Sequence, residues 1–427
     1  MGDPTMRSQT LYRVRTMAKE LKERHKKEKK LATSRPIQNL SELLLDKNEM
    51  TQLIQFYWNV MESTYRVLHG PTFWSKYRIF CEQPSNTSED FIAILLLIVA
   101  CTRCIYTKQQ TSYRGLTSVN RDEAITSILA CEDWISRQSR KYTSIELVQI
   151  RVLLYIAKRM NSYHAKRSWE EAASLLNFAL GIGLHRDPML LEKAIGACSN
   201  SDIKKMTSAH EKEMRRRIWA TIIELELQAA FDRGFPSSIN SLSADCGTPS
   251  NIGDEELEEI SKQLPFSKTP EFYTANSFLR ISSRSFALRS EMNRIINDPK
   301  IHLSYDGLLH YHSRTMEELE KMPRWVDTHR RNDNASSVSA LPALLLDIQL
   351  RQYLLLLHLP YAQHADSKSR YSYSRMVCLN AANTILEHHS KLVASGNFTL
   401  NLLRHDVFRS ALAMCHSVIL WKSVQSK

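Results

Sequence analysis

The chain has 427 residues, of which only 11 are Gly and 13 Pro, about half the share that an average protein gives these two types. Tight turns between strands lean on both, so an all-β sandwich, barrel or propeller is disfavoured, as are collagenous and low-complexity chains. Hydrophobic residues at 43 % and charged residues at 24 % give a globular balance, while a formal net charge of +12 favours an anionic partner such as nucleic acid or a membrane surface.

Residues 1–30 hold ten Lys or Arg against four Asp or Glu, so half of the net charge sits there and the remainder of the chain is only mildly basic. Residues 7–31 read as a charged helix in which Leu11, Val14, Ala18 and Leu21 keep a 3-4 spacing, before the seam dissolves into His25-Lys26-Lys27-Glu28-Lys29-Lys30. Two heptads are marginal for a coiled coil. Residues 1–36 are therefore expected to be a solvated arm, or a nuclear import or phosphate-contacting arm using Arg13, Arg15, Lys19, Lys22, Lys26, Lys27, Lys29 and Lys30; a dimer seam is the third reading. The charged start leaves no apolar secretory region, and the eight cysteines have no framework spacing, so an intracellular protein with reduced thiols is expected.

From about residue 40 the pattern is helical, and residues 40–427 are expected to form one all-α domain, a large irregular multi-helix bundle. Met50, Leu53, Ile54, Tyr57, Trp58, Met61 and Tyr65 share one face of a helix predicted to end near His69-Gly70-Pro71. A polar linker with Pro84 follows, and Ser88 is placed to cap the next helix, whose apolar run Phe91–Cys101 suits burial and is too short to cross a bilayer. Thr143 with Glu146, and Ser168 with Glu171, have capping-box spacing. The second of these opens a helix burying Trp169, Ala172, Ala173, Leu176, Ala179 and Leu180 and stopping around Gly181, Gly183 and Pro188. Aperiodic stretches at 188–210 and 233–270 bracket a long helix from Met206 to Phe231 with the stripe Met214, Ile218, Ile222, Leu225 and Ala229. Further helices are predicted over 271–297, 304–325, 338–360, 372–395 and 404–422, with no repeat of fixed period.

Tests for chemistry return little. Magnesium-diphosphate chemistry needs convergent carboxylates, yet Glu224 and Glu226 diverge on a helix, and Asn332-Asp333 with Ser336 ends on Ala340 where an acid is needed. Cys101 and Cys104 form a lone CxxC inside an apolar pattern, read as small buried cysteines. His310 with His312, and His388 with His389, read as exposed or singly bonded. No catalytic residue, metal site or cofactor is assigned, and no enzyme is predicted. Arg215-Arg216-Arg217 follows Glu211 and Glu213 at four residues; the run is expected to be a solvated helix face, with phosphate contact and an interhelical or subunit salt bridge as the other readings.

Three segments in order resemble the fungal-specific transcription factor domain, the helical middle homology region of zinc binuclear cluster regulators. They are Leu68-His69-Gly70-Pro71-Thr72-Phe73; Trp169 through Leu180-Gly181-Ile182-Gly183-Leu184-His185-Arg186-Asp187; and Met214-Arg215-Arg216-Arg217-Ile218-Trp219 followed by Gly234-Phe235-Pro236. The sequence departs from the pattern at Asn177, Ala220, Glu226 and Phe235, so a family salt bridge using an Arg at 177 or 235 is not available here. The resemblance implies a nuclear regulator of a secondary-metabolite gene cluster or of catabolic genes, with the motif residues mainly structural. It also implies the transcription machinery or a DNA-binding partner, homo- or heterodimerisation and a small-molecule effector. A two-zinc, six-cysteine reader is not present in these residues, so only weak, non-specific DNA contact is expected from the arm. A cytoplasmic all-α adaptor is the alternative.

Overall fold

A computed structural model describes residues 39–106, 118–139, 144–191, 208–257, 265–325 and 340–425, with parts of 12–23; at 240–241 and 418–425 it describes the backbone alone. The described residues are helical, with no strand among them. The helices are α1 (Lys47–Val60), α2 (Gly70–Glu82), α3 (Glu89–Thr102), α4 (Val119–Arg137), α5 (Ile145–Met160), α6 (Ser168–Gly181) and α7 (Ala209–Arg233). They continue as α8 (Ser277–Asn297), α9 (Tyr305–Glu320), α10 (Leu341–Ala362), α11 (Ser372–Ala394), α12 (Thr399–Leu403) and α13 (Asp406–Gln425).

The first half is built round α3. Every residue from Phe91 to Thr102 is buried, as an all-round apolar helix must be in water, and α1, α4 and α5 surround it. The second half is organised by α10, flanked by α8, α9 and α11, with α13 against α11. Helix α7 joins the halves through α6 on one side and α8 on the other. Its predicted stripe Met214, Ile218, Ile222, Leu225 and Ala229 is buried in the main core. Among the described residues no helix is long and apolar enough to cross a membrane.

Several local expectations are corrected. Helix α1 ends at Val60, and Gly70-Pro71 opens α2 instead of closing α1, because Pro at the first turn has no amide to leave unsatisfied. The intervening segment is buried although irregular, and its turn is held by Glu62, which accepts from Tyr57 Oη at 2.9 Å and from the amides of Val67 and Leu68 at 3.2 and 3.1 Å. Helix α4 has no counterpart among the predicted elements. Ser88 stands at the N-cap of α3 but its side chain makes no capping bond. Ser144 caps α5 by accepting from the Leu147 amide at 3.2 Å; Thr143 lies outside the described residues. Ser168 is inside α6 and makes no cap, since Glu171 is drawn instead to Lys158 Nζ at 2.9 Å. The Asn332-Asp333-Ser336 segment also lies outside the described residues.

Candidate functional site: the charged spine of α7

Helix α7 carries most of the singled-out residues, and its charges turn inward. Arg217 and Glu213, one helical turn apart, are fully buried with Arg217 Nε 3.2 Å from Glu213 Oε1. Arg217 Nη1 donates to Asp254 Oδ1 at 2.6 Å, and Arg66 Nη2 donates to the same oxygen at 2.5 Å. Asp254 Oδ2 accepts from the Gly70 amide at 2.7 Å, and the Asp254 carbonyl lies 3.1 Å from His69 Nε2. One carboxylate thus ties the start of α2, the N-terminal part of α7 and the loop after it. Against the upward push of burial, the two guanidiniums hold Asp254 well below the usual carboxylate range. Glu62, buried beside them, is pushed by burial from 4.5 up to about 7, with Arg66 opposing. Three carboxylates, Glu62, Glu213 and Asp254, face two guanidiniums, and the carboxylates outside the double bridge are raised.

A second joint sits one face round. Arg216 donates Nε and Nη2 to Asp187 at 2.9 Å each, a bidentate pair. Asp187 also accepts from the Gly247 amide at 2.8 Å, and a Cβ on Gly247 would stand 2.8 Å from Asp187 Oδ2, so only glycine allows the loop this close. Arg215 donates to the carbonyls of Ile182 and Gly183 at 3.2 and 3.3 Å; Gly183 itself has φ 76°, the left-handed turn that ends α6. Arg186 pairs with Asp245 at 3.0 Å on the surface, and the His185 carbonyl accepts from the amides of Asp245 and Cys246. The His185 ring is 6.4 Å from that of buried Trp219. The solvated-face expectation for Arg215-Arg216-Arg217 is therefore corrected to an interhelical and helix–loop joint: the i,i+4 pair exists for Glu213 and Arg217, but packing has sealed it from water.

The other motif residues are structural supports. His69 bonds Thr72 Oγ1 through Nδ1 at 2.7 Å, and Phe73 sits in an aromatic cluster with Trp58, Trp74 and Phe91. Pro71 lies in the first turn of α2. Gly234, with φ 71°, caps α7. Exposed Pro236 follows Phe235, whose ring lies tilted 4.6 Å from that of Trp169 and whose carbonyl accepts from Asn293 and Asn297. Glu226 has no arginine; Ser237 Oγ at 2.5 Å and the Ser238 amide at 2.8 Å satisfy it instead.

At the far end of α7, Asp232 accepts from Arg159 at 2.9 Å and Arg409 at 3.2 Å, while Arg404 pairs with fully buried Asp406 and reaches Gln352 at 2.9 Å. Midway, Arg289 grips Glu224 with two bonds of 2.8 and 2.6 Å. These partners were not foreseen. The legible signal was polar residues interrupting apolar periodicity, as at Glu62 and Arg66; Asp254 lies in an acidic loop that reads as solvent-facing.

The histidine expectation is corrected at His312, which is bonded on both nitrogens, to buried His358 at 3.1 Å and Tyr373 Oη at 2.9 Å. His310 is exposed, and His388 and His389 are each hydrogen-bonded through one nitrogen, to Asp347 and Asn401. Cys101 and Cys104 are buried, their thiols against the Leu153 carbonyl and Asn161 Oδ1. Among the described residues no group of three metal-ligating side chains converges. In the arm, Arg13, Arg15, Lys19 and Lys22 are exposed on helical backbone; Lys26, Lys27, Lys29 and Lys30, like the seam Leu11, Val14, Ala18 and Leu21, lie outside the described residues.

The motif residues described above are joints within a helical domain. The fungal specific transcription factor domain matches residues 54–335, and the chain belongs to that family; it is a transcription factor family and not one of enzymes. The chain is 29 % identical over 378 residues to transcription factor opdR of Penicillium oxalicum, covering 87 % of this chain and 45 % of that protein. It is 24 % identical over 378 residues to the Zn(2)-C6 fungal-type transcription factor mpsB of Macrophomina phaseolina, covering 83 % and 48 %. It is 24 % identical over 357 residues to the aspyridones cluster regulator apdR of Emericella nidulans, covering 81 % and 46 %. The chain thus spans less than half the length of each. No solved structure matches it significantly.

Proposed function

We propose that the chain is the regulatory region of a nuclear, pathway-specific transcription regulator of a secondary-metabolite gene cluster. The name of one relative, the aspyridones cluster regulator, supports the pathway, and the inward arginines of α7 support the division of labour: Arg215, Arg216 and Arg217 are all engaged within the protein. Phosphate contact then falls to the arm, residues 1–36, and groove reading to a DNA-binding partner or a dimer with a zinc-cluster protein, while residues 40–427 form the domain that meets the transcription machinery and a small-molecule effector.

Two measurements test this reading. Fused to a heterologous DNA-binding domain, the chain should change expression of a reporter, and deletion of residues 1–31 should release a nuclear protein to the cytosol. An inert fusion would remove the regulatory reading. Tight, sequence-selective DNA binding by the purified chain in about 150 mM salt would instead overturn the need for a partner, because phosphate contacts alone weaken steeply with salt.

A further inference from the structure

The arginines buried among the described residues each reach a carboxylate or a carbonyl. Arg151, on α5, does not. Its guanidinium rides 4.2 Å above the Phe178 ring, its Nε is sealed from solvent without a hydrogen-bond partner, and no carboxylate among the described residues pairs with it. A half-buried cation is ordinarily paired, because losing water costs more than an aromatic face returns. Burial accordingly lowers its pKa, with no carboxylate to oppose the fall.

Arg151 borders a cavity of about 330 Å³ between α4, α5 and α6, the size of a small-molecule site. The cavity has two unlike ends. Two turns along the same face of α5 from Arg151 stands Lys158, about 10 Å away by the helical rise, and it is already held by Glu132 at 2.5 Å and Glu171 at 2.9 Å. Between the two cations the wall is apolar, made by Leu154, Leu175 and Ile135.

We infer that this cavity binds an amphipathic monocarboxylate, its carboxylate on Arg151 and its apolar body along Leu154 and Leu175. The placement rests on the reading of residues 40–427 as an effector-responsive domain. The ligand's carboxylate supplies the counter-charge that Arg151 lacks, and the guanidinium fork suits a carboxylate in bidentate geometry. Glu132 and Glu171 at the far end repel a second negative charge, so a dicarboxylate or phosphate monoester is rejected. The exposed Ser174 stands at the mouth.

The test uses the purified 427-residue chain, with octanoate, 1-octanol and suberate as probes in calorimetry and thermal shift. Octanoate should bind saturably with Kd of about 1 mM or tighter and raise Tm, while octanol and suberate should be at least tenfold weaker. Arg151→Gln should weaken octanoate at least tenfold and leave Tm of the unliganded protein nearly unchanged, since no native ion pair is lost and only the contact with Phe178 goes. Ser174→Trp, an exposed substitution that closes the mouth, should also abolish binding. Equal binding of octanol, undiminished octanoate binding by Arg151→Gln, or no saturable binding at all would each overturn the inference. Binding is read without transcription, so it stands or falls separately from the reporter result.

Discussion

The two ends of α7 solve the same electrostatic problem with different materials. At the N-terminal end, Asp254 and Glu62 spend much of their capacity on backbone amides, of Gly70, Val67 and Leu68, so the knot fixes loops. At the C-terminal end, Asp232 and Asp406 accept chiefly from side chains, Arg159, Arg409 and Arg404, borne by α5, α13 and the turn between α12 and α13, so the knot fixes helices. Ionic joints of this kind are poor sources of stability but costly to break from one side. Placed at both ends of one helix, they tie α7 to the start of α2 at one end and to α5 and α13 at the other.

The largest effect should come from removing one carboxylate from either knot. Asp254→Ala and Asp406→Ala are each expected to cost about 3–5 kcal/mol, because buried guanidiniums are left uncompensated. Urea unfolding gives the magnitude, and hydrogen exchange separates the ends: Asp254→Ala should expose the amides of Val67, Leu68 and Gly70, whereas Asp406→Ala should loosen α11 and α13. Equal deprotection throughout by both variants would break the distinction.

Gly247→Ala should follow in size. The added Cβ must displace Asp187 from a 2.8 Å approach, at about 1–3 kcal/mol. Ala at this position with an unchanged Tm would show that the loop is not clamped to Arg216 through Asp187.

The ends should also differ in pH response. The folded-state pKa of Glu62 lies near 7 against an ordinary 4.5, so between those values the native state binds more protons and stability falls as pH rises. His405 at the other end is shifted the opposite way, lowered below 6.5 by burial with Asp232 opposing; the unfolded state then binds more protons, and stability falls as pH drops below 6.5. His405 is half exposed, which makes its contribution the smaller one. Tm measured from about pH 5 to about pH 8 should lose its downward component in Glu62→Gln and its upward component in His405→Gln.

The smallest stability change should come from the arm. Replacing Arg13, Arg15, Lys19 and Lys22 by Gln should leave Tm unaltered, since all four are exposed, while reducing nuclear accumulation and salt-sensitive DNA retention. A lowered Tm would show that the arm packs on the domain.

Periodicity carried much of the helical architecture, since burial in a helix must repeat at three and four residues; the α7 stripe and the sealed α3 were both legible on that ground. It failed where polar groups were buried in irregular chain. Met61 to Tyr65 continued the apolar spacing of α1 yet belongs to a turn, because Glu62 can satisfy the amides of Val67 and Leu68 only if the helix stops. Helix α4 carries the same signal, since Ala124, Ile125, Ile128, Cys131 and Ile135 repeat at three and four on its buried face, although Arg121 and Ser127 share that face. Arg151 gave no signal, being one cation on an amphipathic helix.

The sequence by itself determined that the chain is helical and that half of its net charge sits at the N-terminus, which are properties of local spacing and composition; its three motifs resemble those of the family that matches residues 54–335. Only the tertiary structure decided where the charges go. Asp254 lies 37 residues from Arg217 and 188 from Arg66, and no local rule connects them. Whether an arginine faces DNA, a carboxylate or a cavity depends on which distant segment folds over it, because a charge acts through distance in space and through the water it has lost.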